Sequence, residues 1–147
     1  MNKFDDNRGS LFVRDITGNE YNQILISTNK NKFTFRGMHF QSSPEQTKII
    51  RVLQGKIIDF VFDPFTHELK VYEVGTDSKE IFVEEHEFHG YLTLEPNTIV
   101  LYLVTGLYNP DTEKSIPWDS INSIKYTVAG ITKGKKITIS DKDKNGK

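Results

Sequence analysis

The 147 residues suit one folding unit, and 19 basic against 20 acidic side chains, a net charge of −1, exclude the electrostatic footprint of a nucleic-acid binder. There are no cysteines, which rules out disulfides, thiolate catalysis and cysteine-based zinc sites. The opening stretch, MNKFDDNRGSLF, lacks the apolar segment of a signal peptide and no run is long enough to cross a bilayer, so the expectation is a soluble cytoplasmic protein with no nucleic-acid or membrane partner.

Short β-branched and aromatic runs separated by turn residues fill most of the chain, which is an all-β pattern. The N-terminal arm carries a turn cluster, Asp5-Asp6-Asn7-Arg8-Gly9, before a first strand at Leu11, Phe12 and Val13. A second strand is predicted over 21–27 and a third over 33–41, with a polar turn at 29–32 between them. The loop Ser42-Ser43-Pro44-Glu45 leads to a strand over Lys48–Gln54, Gln54-Gly55 makes a hairpin turn, and 56–63 runs back. Strands at 68–74 and 80–83 flank the turn Gly75-Thr76-Asp77-Ser78. After a charged loop at 84–87 come Phe88-His89-Gly90-Tyr91, a strand over 91–94, the turn Glu95-Pro96-Asn97 and a strand over 98–105. That last strand is apolar on both faces, which places it centrally in a sheet. No stretch longer than a turn or two shows helical periodicity. Beyond Gly106 turn chemistry takes over, Trp118 is expected to pack an irregular segment on the barrel, and the polar tail 133–147 is expected to end loosely. About ten short strands in one domain point to a jelly roll.

Arg36, His39 and Lys48 stand in this pattern between the apolar residues Phe33, Phe35, Met38 and Phe40 on one side and Ile49, Ile50, Val52 and Leu53 on the other. A buried charge costs several kcal/mol unless paired, so three such groups on core strands imply a lined cavity. Salt-bridged side chains on a half-exposed sheet would explain the same spacing.

Four segments, in this order, resemble one family: Arg36-Gly37-Met38-His39-Phe40-Gln41; Gln46, Lys48, Arg51-Val52 and Gly55; Phe88-His89-Gly90-Tyr91; and Tyr102 followed by Tyr108-Asn109-Pro110 and Ile116-Pro117-Trp118-Asp119. Asp6-Asn7-Arg8-Gly9 and Ser140-Asp141-Lys142-Asp143 extend the match toward both ends. The family is that of the nucleotide 4-keto-6-deoxysugar 3,5-epimerases, typified by dTDP-4-dehydrorhamnose 3,5-epimerase. The resemblance implies a cupin-like jelly roll (a double-stranded β-helix), a homodimer that exchanges its N-terminal arm (1–28), no metal and no cofactor. The implied substrate is a nucleotide-diphosphate keto sugar.

By that resemblance His39 is the base that removes a proton next to the substrate ketone, Asp143 its dyad partner, Tyr102 the acid on the opposite face and Lys48 the cation near the enolate oxygen. Arg36 and His89 would hold the sugar and its diphosphate. Arg8 and Phe12 would reach the nucleotide of a neighbouring subunit, with Tyr91 and Arg51 at the pocket wall. The chemistry suits these residue types: a neutral imidazole oriented by a carboxylate is a base, a phenol stays protonated at neutral pH, and an ammonium offsets charge on an enolate oxygen. Each has a plainer reading as well: Tyr102 as a core aromatic, His89 as a turn histidine, Lys48 as an edge-strand charge, Asp143 as one of two aspartates in a solvated tail beside Asp141. Metal-binding cupins announce themselves with an H-x-H pair, and Gln41 stands where the second histidine would fall.

The chain departs from the family by being shorter at both ends. Val13 or Arg14 replaces an acidic residue, and Ile26-Ser27 replaces an Asn-His pair. These are substrate-side positions, so a different nucleotide or sugar, epimerisation at one centre only, ketoisomerisation, or sugar-nucleotide binding without catalysis stay open as alternatives.

Overall fold

In a strand, successive side chains point to opposite faces, so an apolar residue at every second position gives each sheet one face to bury. The computed structural model, which describes residues 1–16 and 20–146, builds two antiparallel sheets on this rule. The first runs β1 (Asn2–Asp6), β2 (Gly9–Asp15), β3 (Gln23–Asn29), β10 (Thr98–Val104), β5 (Lys48–Gln54) and β8 (Ile81–Val83). The second runs β11 (Glu113–Ser115), β4 (Phe35–Gln41), β9 (Phe88–Thr93), β6 (Lys56–Phe62) and β7 (Leu69–Gly75). The all-β expectation holds and β10 sits, as anticipated, in the interior of its sheet. The fold is a cupin-like jelly roll. The N-terminal arm pairs on its own chain, with β2 alongside β3.

One core lies between the sheets, where Ile50, Val52, Ile57, Val61, Tyr91 and Val100 meet. A second lies on the other face of the five-stranded sheet, where Phe35, Met38, Ile58, Phe60 and Leu92 are buried under helix α1 (Asn122–Thr132) through Ile124 and Val128. Trp118, in a single 3-10 turn, stacks obliquely on Phe35 with ring centres 5.7 Å apart, which is the packing foreseen for it.

Two expectations are corrected here. The sequence shows no helix, yet α1 is 11 residues long. Its buried stripe is only Ile124, Val128 and Thr132, and its β-branched residues weaken the local signal; the apolar sheet face beneath it supplies the stability that propensity does not. The polar tail is also held rather than loose. Thr138 donates its N–H to the Phe33 carbonyl (2.9 Å) and accepts from the Phe35 N–H at the start of β4 (2.8 Å), and Ser140 caps a five-residue helix, α2 (Asp141–Asn145), by accepting from the Asp143 N–H at 3.2 Å. No helix among the described residues is long and apolar enough to cross a membrane.

Because Phe60 has no solvent exposure and its ring packs 6.0 Å from that of Phe35, Phe60→Ala should cost about 3–5 kcal/mol of stability, read by urea unfolding.

Candidate active site

The site begins with a packing constraint on two glycines. Opposite Gly90 of β9, strand β4 carries an extra residue, so the register slips between Arg36 and His39. A Cβ on Gly37 would meet Gly90 Cα and the His89 carbonyl at 2.6 Å, and one on Gly90 would meet Met38 Sδ at 2.6 Å. Gly37 also has φ +117°, in the region that favours glycine. The bulge puts Arg36 and His39 on the inner face while Phe35 and Met38 go to the helix-covered core, and it leaves the Gly37 N–H pointing at Asp143 Oδ2 (3.1 Å).

Around His39 lies a cavity of about 520 Å³ between the sheets, within the usual size range of small-molecule sites. His39 Nε2 is 2.5 Å from Asp143 Oδ1, and its Nδ1 is 3.9 Å from Glu113 Oε1. Asp143 is almost fully buried and also takes the Arg8 guanidinium at 2.7 Å. Burial by itself raises the Asp143 carboxyl, but His39, Arg8 and the Gly37 N–H outweigh it and bring it down to about 2. Lys48 projects from β5 into the cavity, and the loss of water around its ammonium lowers it to about 8, against the opposing pull of Glu113 and Asp59. Burial holds the Tyr102 phenol well above its ordinary value, with neighbouring Tyr91 adding to the effect.

Arg36, only 8% exposed, donates to Asn29 Oδ1 (2.8 Å) and the Thr28 carbonyl (3.1 Å). Among the described residues neither Arg36 nor Lys48 has a carboxylate within ion-pairing distance, so the cavity presents two cations free to meet an anionic ligand. The six-stranded sheet that carries Lys48 also gives the cavity apolar lining, from Phe4, Leu11, Val13, Leu25 and Val104, beside the polar Asp15, Gln23 and Ser27.

The chain matches the dTDP-4-dehydrorhamnose 3,5-epimerase family from residue 1 to residue 147. It belongs to that family. A family member from Methanothermobacter thermautotrophicus is 33% identical over 119 residues, covering 76% of this chain and 63% of its own length. One from Mycobacterium tuberculosis is 35% identical over 88 residues, covering 55% of this chain and 44% of its own. The chain thus spans about half to two-thirds of the curated relatives it matches. Among solved structures, the Bacillus anthracis dTDP-4-dehydrorhamnose 3,5-epimerase, which has TDP and PPi bound, superposes with a TM-score of 0.72 at 29% identity, covering 97% of this chain and 87% of its own. The Sulfolobus tokodaii epimerase superposes with a TM-score of 0.70 at 27% identity, covering 96% and 82%.

Of the residues drawn from the likeness to these epimerases, the cavity lining contains His39, Tyr102, Lys48, Asp143, Arg8, Arg36 and His89. Asp143, not the exposed Asp141, meets His39. Three lie elsewhere. Arg51 points outward from β5, half exposed, and pairs with Glu80 at 2.6 Å, because the alternation that sends Lys48, Ile50 and Val52 inward turns position 51 out. Tyr91 is fully buried behind the wall, bonded through its hydroxyl to Ser27 Oγ (2.7 Å) and Asn29 (3.2 Å). Phe12 is paired with Ile26 and faces away from the cavity, while Arg8 lines the cavity and pairs with Asp143.

Sequence reasoning missed Glu113 and Lys142 as lining residues, together with the link of Tyr108 to them: Glu113 Oε2 accepts from Lys142 (2.6 Å) and from the Tyr108 hydroxyl (2.6 Å). Nothing in their spacing marks them, since they come together only through the β4–β11 pairing and α2. As for metals, Asp63, His86 and Glu87 place ligand atoms within 4.8 Å of one another, but outside the cavity. The Lys70 ammonium is already 3.4 Å from Glu87, in the place of a cation.

The depressed Asp143 carboxyl has a stability consequence. Its folded value of about 2 lies below the ordinary 3.8, so it contributes about 2 kcal/mol that is present above pH ~4 and is lost as the pH falls through about 2. Asp143→Asn should lose that amount at pH 7 and flatten the acid limb of a urea-unfolding series.

Proposed function

We propose that this protein epimerises a carbon next to the ketone of a nucleotide-linked 4-keto-6-deoxysugar, at C3, C5 or both. The observation that carries the reading is a histidine held at one ring nitrogen by a buried aspartate, facing a cavity that also contains a lysine and a phenol. Membership of the epimerase family and the TDP and PPi in the Bacillus anthracis relative support it.

His39, with Nε2 engaged by Asp143, takes the proton from the carbon α to the carbonyl at Nδ1. The electron pair moves onto the carbonyl oxygen, where the Lys48 ammonium meets the enolate charge. Tyr102, which keeps its proton across neutral pH, gives it to the same carbon from the other face. Solvent then returns a proton to the tyrosinate and removes one from His39, so nothing is oxidised or reduced and no cofactor or metal enters the cycle. The diphosphate sits against Arg36, whose neutral partners leave its charge unspent. Val13 and Leu25 give the nucleotide sugar an apolar wall where polar contacts would otherwise be made.

The active form is a homodimer. Phe12, Ile24, Ile26, Ile49, Leu101 and Leu103 share the outer face of the six-stranded sheet and remain partly exposed, an apolar surface that a second copy would cover about a two-fold axis. Ile26→Lys should convert the dimer to monomer in a sedimentation measurement.

In D2O with dTDP-4-keto-6-deoxyglucose, proton NMR should show loss of the C3 or C5 signal, and His39→Ala should slow it by about 10²–10⁴-fold. Retention of both signals with the native protein would sink the reading. Lys48 must be protonated to work and titrates at about 8, so the rate should fall as the pH rises through that value. Lys48→Met should abolish this limb and lower the rate about 10²–10³-fold.

A further inference from the structure

Behind the cavity a second histidine–aspartate pair stands beside the first. His39 and His89 are direct cross-strand partners on β4 and β9, and each has its own buried carboxylate. His89 is 4% exposed, and its Nε2 lies 2.7 Å from Oδ1 of Asp59, which is fully buried on β6. Among the described residues Asp59 Oδ2 has no hydrogen-bond partner. A buried carboxylate with an orphan oxygen is costly, and an apolar residue would fill the same space between Ile57 and Val61 without that cost, so its presence calls for a use.

We propose that Asp59 is a positioning residue: it holds the proton of His89 on Nε2 and so presents the bare Nδ1 to the cavity as the acceptor for a hydroxyl of the sugar ring. Among the described residues no hydrogen bond reaches that Nδ1, and His89 lines the cavity. The Tyr102 ring meets the imidazole edge-on with centres 5.9 Å apart, and Tyr91 packs obliquely at 6.4 Å, so the ring plane is fixed from two sides and the Asp59 bond fixes which nitrogen faces in. A nitrogen lone pair suits a hydroxyl donor and not a phosphate, which assigns the diphosphate to Arg36 and the sugar ring to His89.

The groups facing the pair are Arg36 and His39 from β4, Lys48 from β5, Tyr91 from its own strand and Tyr102 from β10. Of these, Lys48 and Tyr102 both feel the Asp59 charge, which helps the ammonium and the phenol keep their protons.

The inference deepens the epimerase reading and rests on it, and two measurements separate their failures. In protein labelled with ¹⁵N-histidine, whose His89 signal is assigned by comparison with His89→Gln, the native ring should show a protonated Nε2 and a bare Nδ1 at neutral pH without any substrate. A protonated Nδ1, in a neutral or a cationic ring, overturns the proposal, and this reading needs no Asp59 variant to fold. In turnover, Asp59→Asn keeps the shape and removes the charge. It should lower kcat/KM by about tenfold or more and move the alkaline limb of the rate to lower pH, a shift that loss of packing alone would not give. Native rate and native limb in Asp59→Asn overturn it. A native protein that turns over no keto sugar overturns the epimerase reading instead, while the spectrum still decides what Asp59 does to His89.

Discussion

The site depends on one buried carboxylate. Asp143 receives the His39 imidazole, the Arg8 guanidinium and the Gly37 backbone N–H, and its own N–H is capped by Ser140. Those groups come from β4, from the β1–β2 turn and from a helix near the far end of the chain, so a single charge ties three distant segments together. A carboxylate this deeply buried is stable only because the surrounding donors replace the water it lost. The same donors fix its position, and through it the orientation of His39.

The second constraint is steric. The Gly37–Gly90 approach lets one strand change register against the next, and that slip sorts neighbouring side chains to opposite fates: Phe35 and Met38 to the helix-covered core, Arg36 and His39 to the cavity. Polarity is divided within the cavity in the same way. Alternation along β2 and β3 lines one wall with Leu11, Val13 and Leu25 and turns Phe12, Ile24 and Ile26 to the outside. Burial takes water from around the Lys48 ammonium and loosens its hold on its proton, while Arg36 is hydrogen-bonded to neutral partners.

Much of this was legible in the sequence. Period-two alternation and turn residues placed nine of the strands to within a few positions, the doubly apolar run at 98–105 correctly read as an interior strand, and Arg36, His39 and Lys48 correctly implied a lined cavity. The errors have identifiable causes. β1 was hidden because its five residues are all exposed and carry no alternation to detect. Helix α1 was hidden because its stability comes from the sheet it covers. Arg51 and Tyr91 were assigned to the pocket wall by likeness alone, although Arg51 sits at an outward position of its strand and the Tyr91 hydroxyl is already used by Ser27 and Asn29.

The sequence by itself determined the all-β class, the strand order along the chain and the residue types that the chemistry needs, because periodicity, turn preference and side-chain chemistry are local properties. Tertiary structure decided which aspartate meets His39, that Glu113 and Lys142 join the site, and that Asp59 stands behind His89. Those are contacts between residues separated by 104, 29 and 30 positions, set by sheet pairing and burial rather than by any pattern a short window of sequence contains.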